Sequence, residues 1–196
     1  MNFINGIERR KIMNNVNTEE RIFYLSGTID DKSICPINFE ILKLIQKDEK
    51  LNAEQKNFKP TPIKLFINSF GGSVYDAWSL IDIILRSETP IYTYCTGYAM
   101  SAGFLIFLAG HKRYATPNAT MLYHQLSAGG WNKIVDLQQD MEEYKRLQSD
   151  IEKYVCKRTS IPTSILEENK EKKLDWYIHS EDFEKYNLAE ILPHTI

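Results

Sequence analysis

Ile63-Lys64-Leu65-Phe66-Ile67-Asn68-Ser69-Phe70-Gly71-Gly72, followed by Val74 to Arg86, decides the fold. Ile63 to Asn68 is rich in β-branched and aromatic residues, which predicts a strand. It runs straight into Ser69-Phe70-Gly71-Gly72. Val74, Ala77, Trp78, Ile81, Ile84 and Leu85 then recur three or four apart, so a helix begins just after the glycines. Strand, glycine pair and helix together make half of a βαβ unit.

The same alternation extends to both sides. Upstream, Arg21 to Gly27 predicts a strand, and Ile37, Ile41, Leu44 and Ile45 predict a helix over Ile34 to Gln46. Lys47 to Thr61 is charged and Pro-ended, and is expected to be an exposed loop or a helix extension. Downstream, Ile91 to Thr96 predicts a strand, Gly97 to Gly103 a small-residue turn, and Phe104 to Ala109 an apolar helix. Lys112 to Ala115 and Thr120 to His124 predict short strands around a Pro117-Asn118 turn. The series implies right-handed crossovers and a mostly parallel sheet, hence an α/β fold. Asn132 to Lys157 differs: Ile134, Leu137, Met141, Tyr144, Leu147, Ile151 and Tyr154 form an unusually long helical stripe. Spacing alone admits two readings, a core helix or a projecting helix that packs on another subunit. Residues 1–19 are polar and charged and are expected to be a mobile arm or a short irregular segment.

Composition narrows the function classes. The chain has 196 residues, which suggests one domain, with 24 basic and 26 acidic side chains. A net charge of −2 argues against binding nucleic acid through bulk charge. The apolar run from Ala99 to Gly110 is too short to span a bilayer, and no signal peptide is read at the N-terminus. Cys35, Cys95 and Cys156 are odd in number and widely spaced, so neither a zinc site nor a disulfide framework is expected. These features together favour a reducing cytosol. Asp175 and His179 have the i, i+4 spacing of two metal ligands, but helix there is doubtful.

Four features could carry chemistry. Gly71-Gly72 allows positive φ and close backbone approach ahead of a helix start with free N–H groups. The pair suits an oxyanion or a peptide backbone, and equally a tight βα turn that binds nothing. Ser101, inside Gly97-Tyr98-Ala99-Met100-Ser101-Ala102-Gly103, has the logic of a nucleophile at a sharp strand-to-helix turn, although the segment is not GxSxG. A helix N-cap serine would account for it as well. His124 ends a strand and reaches the carboxyl edge where open α/β sheets place their sites; a structural histidine is the alternative. Asp175, flanked by Leu174 and Trp176, could orient a histidine, or be an N-cap or surface aspartate. His111 reads as part of an exposed turn, and His194, near the chain end, as mobile.

Taken in order, these segments resemble one family. Ile67-Asn68-Ser69-Phe70-Gly71-Gly72, the Ser101 segment, Pro117-Asn118 through Met121-Leu122-Tyr123-His124-Gln125 with Gly129-Gly130, and Asp175 to Asp182 with Tyr186 to Glu190 are similar to motifs of ClpP, the proteolytic subunit of the Clp protease. The resemblance runs from about Arg21 to Leu192. It implies a crotonase-like spiral of βαβ units with a projecting handle helix at about 132–157, residues 1–20 being the arm and 21–196 the peptidase domain. It implies Ser101 as nucleophile, His124 as base then acid, Asp175 as orienting carboxylate, and the N–H groups of Gly72 and Ala102 as oxyanion hole. It also implies a homo-oligomer of two stacked seven-membered rings that degrades unfolded polypeptides in the cytoplasm. No metal or cofactor is implied in this chain; ATP would be used by a partner AAA+ unfoldase, and neither nucleic acid nor membrane is a partner. The alternatives are a catalytically silent ClpP-like subunit and a crotonase-type acyl-CoA enzyme; the complete serine, histidine and aspartate set disfavours both.

Departures from the family pattern are visible. Phe70 and Leu126 stand where proline is usual, and the loop from Ser127 to Trp131 is altered. Asn187 stands for a glycine, a swap compatible with positive φ. Lys64 and Thr96 occupy positions where hydrophobic residues help form the unfoldase-docking surface.

Overall fold

The computed structural model describes residues 20–127 and 134–193. The arm at 1–19, Gly129-Gly130, Trp131 and His194 lie outside the described residues. Five strands run in the order β1 (Ile22–Ile29), β2 (Ile63–Gly72), β3 (Ile91–Met100), β4 (Lys112–Ala115) and β7 (Glu190–Ile191), all parallel. Strand β3 forks. Its first half pairs with β4, while Tyr98 to Met100 pairs with β5 (Thr120–Tyr123). Strand β5 in turn pairs antiparallel with β6 (Trp176–Ile178).

One sheet face is buried. Phe23 and Leu25, Ile63, Leu65 and Ile67, and Ile91 and Cys95 alternate inward and are fully excluded from solvent. Helices α1 (Asp31–Glu54), α2 (Val74–Arg86) and α3 (Ala102–Ala109) pack against these strands and one another. Helix α3 is apolar all round, and all eight of its residues are buried, so it forms the centre of the core. The other face carries half-buried rings from successive strands. Phe66 stacks on Tyr94 at 4.7 Å, Tyr94 on Tyr114 at 5.0 Å, and Tyr24 flanks Phe66 at 6.3 Å.

Several elements differ from expectation for local reasons. Helix α1 begins earlier and ends later than Ile34 to Gln46. Asp30 and Ser33 form a reciprocal capping box at its start. Its buried face continues to Asp48, which accepts hydrogen bonds from Arg21 and Thr89. In α2, Leu80 rather than Leu85 completes the buried face; Leu85 is exposed. Strands β2 and β3 each run four residues past their expected ends. Helix α5 (Thr163–Lys172) was not anticipated; it buries only Leu166. A short helix, α6 (Ser180–Phe183), precedes β7.

Helix α4 (Ile134–Arg158) is the long helix. Its second half packs on the core through Leu147, Ile151, Tyr154 and Val155. Arg158 closes the junction by donating to the Leu108, Ala109 and Gly110 carbonyls at the end of α3. Those carbonyls lack helical partners, and a cation there also complements the helix dipole. No helix among the described residues is long and apolar enough to cross a membrane.

Candidate active site

The site is built where β2 and β3 run past their regular pairing. Both ladders of β2 slip there: the β1–β2 register shifts between Ser26 and Thr28, and the β2–β3 register between Ile67 and Ser69. Two polar side chains take up the freed backbone groups. Asn68 Oδ1 accepts from the Tyr98 N–H at 3.2 Å. Ser69 Oγ donates to the Gly27 carbonyl at 2.5 Å and accepts from the Gly71 N–H at 3.0 Å. A bulge needs its unpaired groups satisfied when buried, and Asn68-Ser69 does this on both sides. Phe70, between the bulge and the glycines, is 67% exposed and stacks on Tyr98 at 4.2 Å.

The glycine pair then meets the serine turn. Gly71 has φ +105°, and a Cβ there would stand 2.7 Å from Ser101 Cβ and 2.9 Å from the Met100 carbonyl oxygen. Gly72 has φ +151°, and a Cβ there would collide with the backbone of Ile29. Both positions therefore require glycine, one of them because β2 lies against Ser101. Ser73 N–H donates to the Ile29 carbonyl at 2.8 Å. Successive N–H groups in an extended segment point to opposite edges, so that of Gly72 is directed away from β1.

Ser101 occupies the N-cap position of α3 with φ +53° and ψ −123°, and its side chain makes no capping hydrogen bond. A positive φ in a non-glycine residue is a strained arrangement. Capping therefore does not account for the hydroxyl. The Ser101 N–H is used elsewhere, donating to the Leu122 carbonyl of β5 at 2.9 Å. That bond ties the turn to the strand whose end precedes His124.

A cavity of about 520 Å³ opens over these groups. Gly72, Ser101, Ala102 and His124 line it, with Val74, Leu105, Leu147 and Ile151 as an apolar wall. Four of the five residues named from the sequence thus share one cavity. Asp175 does not line it and is exposed. Strand register is what relates it to His124. β5 and β6 pair Met121 with Ile178, Leu122 with Tyr177 and Tyr123 with Trp176. The next step of that register faces His124 with Asp175. Among the described residues no hydrogen bond joins His124 to Ser101 or to Asp175. The His124 Nδ1 lies 2.6 Å from the Gln125 carbonyl oxygen. A carbonyl only accepts, so Nδ1–H donates and Nε2 is left as the basic nitrogen. Catalytic hydrogen bonds are often long or unformed before substrate binds.

A family model described as Clp protease matches residues 6–192. The chain belongs to the Clp protease family. It is also 29% identical over 174 residues to the ATP-dependent Clp protease proteolytic subunit of Deinococcus radiodurans, a match covering 88% of this chain and 79% of that protein. Membership of this family implies serine peptidase activity, and the mixed α/β fold with its parallel sheet is consistent with it.

Other histidines play other parts in this family member. His111 Nδ1 accepts from the Ile91 N–H at 3.0 Å, a bond at the start of β3 and just before β4, and His111 does not line the Ser101 cavity. Asp175 precedes β6 and His179 follows it, so the two do not share a helix face. Asn187 has φ +50°, the left-handed region where a glycine could otherwise stand. Two site residues escaped the sequence reading. Tyr123 and Gln148 are buried behind His124, and Gln148 donates from Nε2 to the Tyr123 hydroxyl oxygen at 3.3 Å. Burial pushes the Tyr123 phenol up to about 12, so it stays protonated at neutral pH. The signal for Gln148 was present as an amide within the apolar stripe of Tyr144, Leu147 and Ile151.

Proposed function

We propose that the chain is a serine endopeptidase subunit in which Ser101 is the nucleophile, His124 the general base and acid, and Asp175 the orienting carboxylate. The observation that carries this is Ser101 itself. It stands at positive φ at the head of a buried apolar helix, its hydroxyl caps nothing, and it shares a cavity with His124. Nε2 of His124 takes the hydroxyl proton as Oγ bonds to the scissile carbonyl carbon. The negative charge that develops on the carbonyl oxygen is received by the N–H groups of Gly72 and Ala102. The imidazolium returns its proton to the departing amine, leaving an acyl-serine that water hydrolyses by the same two proton transfers. Register across β5 and β6 supports Asp175 as the group that steadies the imidazolium.

The proposed working unit is a homo-oligomeric chamber of two seven-membered rings joined through the α4 handles, as the family resemblance implies. A groove of about 660 Å³ along α4, which includes Leu126, Leu137, Met141 and Tyr144, supports α4 as a joining surface. The half-buried rings of Tyr24, Phe66, Tyr94 and Tyr114 support an apolar docking face for an ATP-driven unfoldase in the cytoplasm, despite the exposed Lys64 and Thr96 beside it.

A fluorophosphonate probe tests the chemistry. Wild-type protein should be labelled once per chain, and Ser101→Ala should abolish both labelling and peptide cleavage. Labelling that persists in Ser101→Ala would remove Ser101 from the mechanism.

A further inference from the structure

We infer that Gln148 of α4 is a positioning residue for His124, acting through the peptide unit that joins Gln125 to Leu126. The inference rests on the peptidase reading; the Gln125 carbonyl takes the same Nδ1–H that Asp175 is proposed to steady, and so fixes the imidazole tautomer before Asp175 engages. The two ends of one planar peptide are engaged at once. Its carbonyl oxygen, on Gln125, accepts from His124 Nδ1–H at 2.6 Å. Its N–H, on Leu126, donates to Gln148 Oε1 at 2.8 Å. The peptide bond is rigid and trans, so its C=O and N–H point in opposite directions, and fixing one fixes the other. Gln148 thereby sets the direction of the carbonyl that holds Nδ1–H, and so which nitrogen is left free to act as base.

Gln148 is itself over-determined, as a positioning residue must be. It is 9% exposed. Its Nε2 donates to the Tyr123 hydroxyl oxygen at 3.3 Å and to Glu152 Oε1 at 2.8 Å, and Glu152 is held in turn by Lys170 at 2.9 Å. These bonds orient the amide so that Oε1, the acceptor, faces Leu126. The side chain therefore brackets His124, touching Tyr123 before it and Leu126 after it. Asp175, by contrast, is exposed and makes no hydrogen bond to His124 in this state.

The test compares wild type, Gln148→Met and the double variant Gln148→Glu/Glu152→Gln for kcat and KM on a short peptide, for fluorophosphonate labelling rate, and for native mass. Methionine keeps the volume and helix propensity but cannot accept from Leu126 N–H; glutamate can, and Glu152→Gln then supplies the amide donor that faces it. Gln148→Met should lose about 3–10-fold in kcat and in labelling rate, the scale of one lost hydrogen bond, with KM within about twofold. Gln148→Glu with Glu152→Gln, which keeps one carboxylate and one amide in the pair with their places exchanged, should recover most of that loss. If Gln148→Met does not assemble, Gln148→Lys, a donor that can pair with Glu152 but has no acceptor, should show the same kcat loss. Wild-type kcat in an assembled Met or Lys variant would overturn the inference, as would a loss that the Gln148→Glu/Glu152→Gln double variant does not recover. A wild-type chain that takes no label overturns the peptidase reading and this inference with it. A labelled wild type beside an unimpaired Gln148→Met overturns the inference alone.

Discussion

The two halves of α4 share one apolar period and meet opposite fates. Leu147, Ile151, Tyr154 and Val155 are buried against the core, whereas Leu137 is 38% and Met141 53% exposed. The inner half is fixed by specific contacts. Tyr154 donates its hydroxyl to the Leu105 carbonyl at 3.0 Å and meets the edge of Trp78 at 5.1 Å. The outer half has charged neighbours and a groove. A 3.6-residue period tells which face of a helix is apolar, but not whether the chain's own core or another surface covers it. The difference predicts that the two halves answer to different measurements.

The largest effect on the folded chain belongs to the inner half. Ile151 is 5% exposed, and Ile151→Ala should cost about 2–5 kcal/mol in chemical denaturation, from lost transfer energy plus the cavity left behind. A cost comparable to a surface substitution would mean that the inner half is not core. The outer half should show the converse. Leu137→Lys with Met141→Lys should leave the circular dichroism of the chain unchanged and shift its intrinsic stability by only about 0.5 kcal/mol. Native mass should nonetheless fall, because the proposed joining surface now carries two unpaired charges. A double variant of unchanged mass would take the handle contact away from these residues.

The same contrast explains what could be read without coordinates. Strand cores were legible because Ile63, Leu65 and Ile67 alternate into a buried face while α2 and α3 follow at helical spacing. Strand ends were not, because Asn68 and Ser69 replace backbone pairing with side-chain bonds, and no periodicity encodes that exchange. Helix α5 was missed because a helix that buries only Leu166 has almost no stripe. Ser101 and His124 were legible as a serine at a strand-to-helix turn and a histidine at a strand end. Asp175 could be read from its neighbours only as an orienting, N-cap or surface aspartate, and the resemblance chose among these, because its place opposite His124 depends on the antiparallel β5–β6 register, a tertiary fact. Gln148 went unnoticed because a single amide in an apolar stripe announces burial without naming its partner.

The smallest effect should come from the exposed ion pairs that decorate the middle of α4. Glu143 accepts from Arg146 at 2.7 and 2.8 Å and from the Tyr75 hydroxyl at 3.0 Å. The Arg146 bonds first, and the Tyr75 bond second, hold its carboxyl down to about 2, against an ordinary 4.5. A carboxyl whose folded value is depressed stabilises the fold at pH above its unfolded value, and that contribution is lost as pH falls from about 4.5 towards about 2. All three groups are open to solvent, so water and salt screen most of the interaction. Tyr75→Phe and Arg146→Ala should therefore change the neutral-pH melting temperature by no more than about 1 °C at physiological ionic strength. The wild-type advantage should be resolvable only in low salt, and should vanish when the pH is taken down through that window. A loss of several degrees at neutral pH in 0.15 M salt would mean that α2 is clamped to the outer half of α4 by these charges, and that the outer half belongs to the chain's own fold after all.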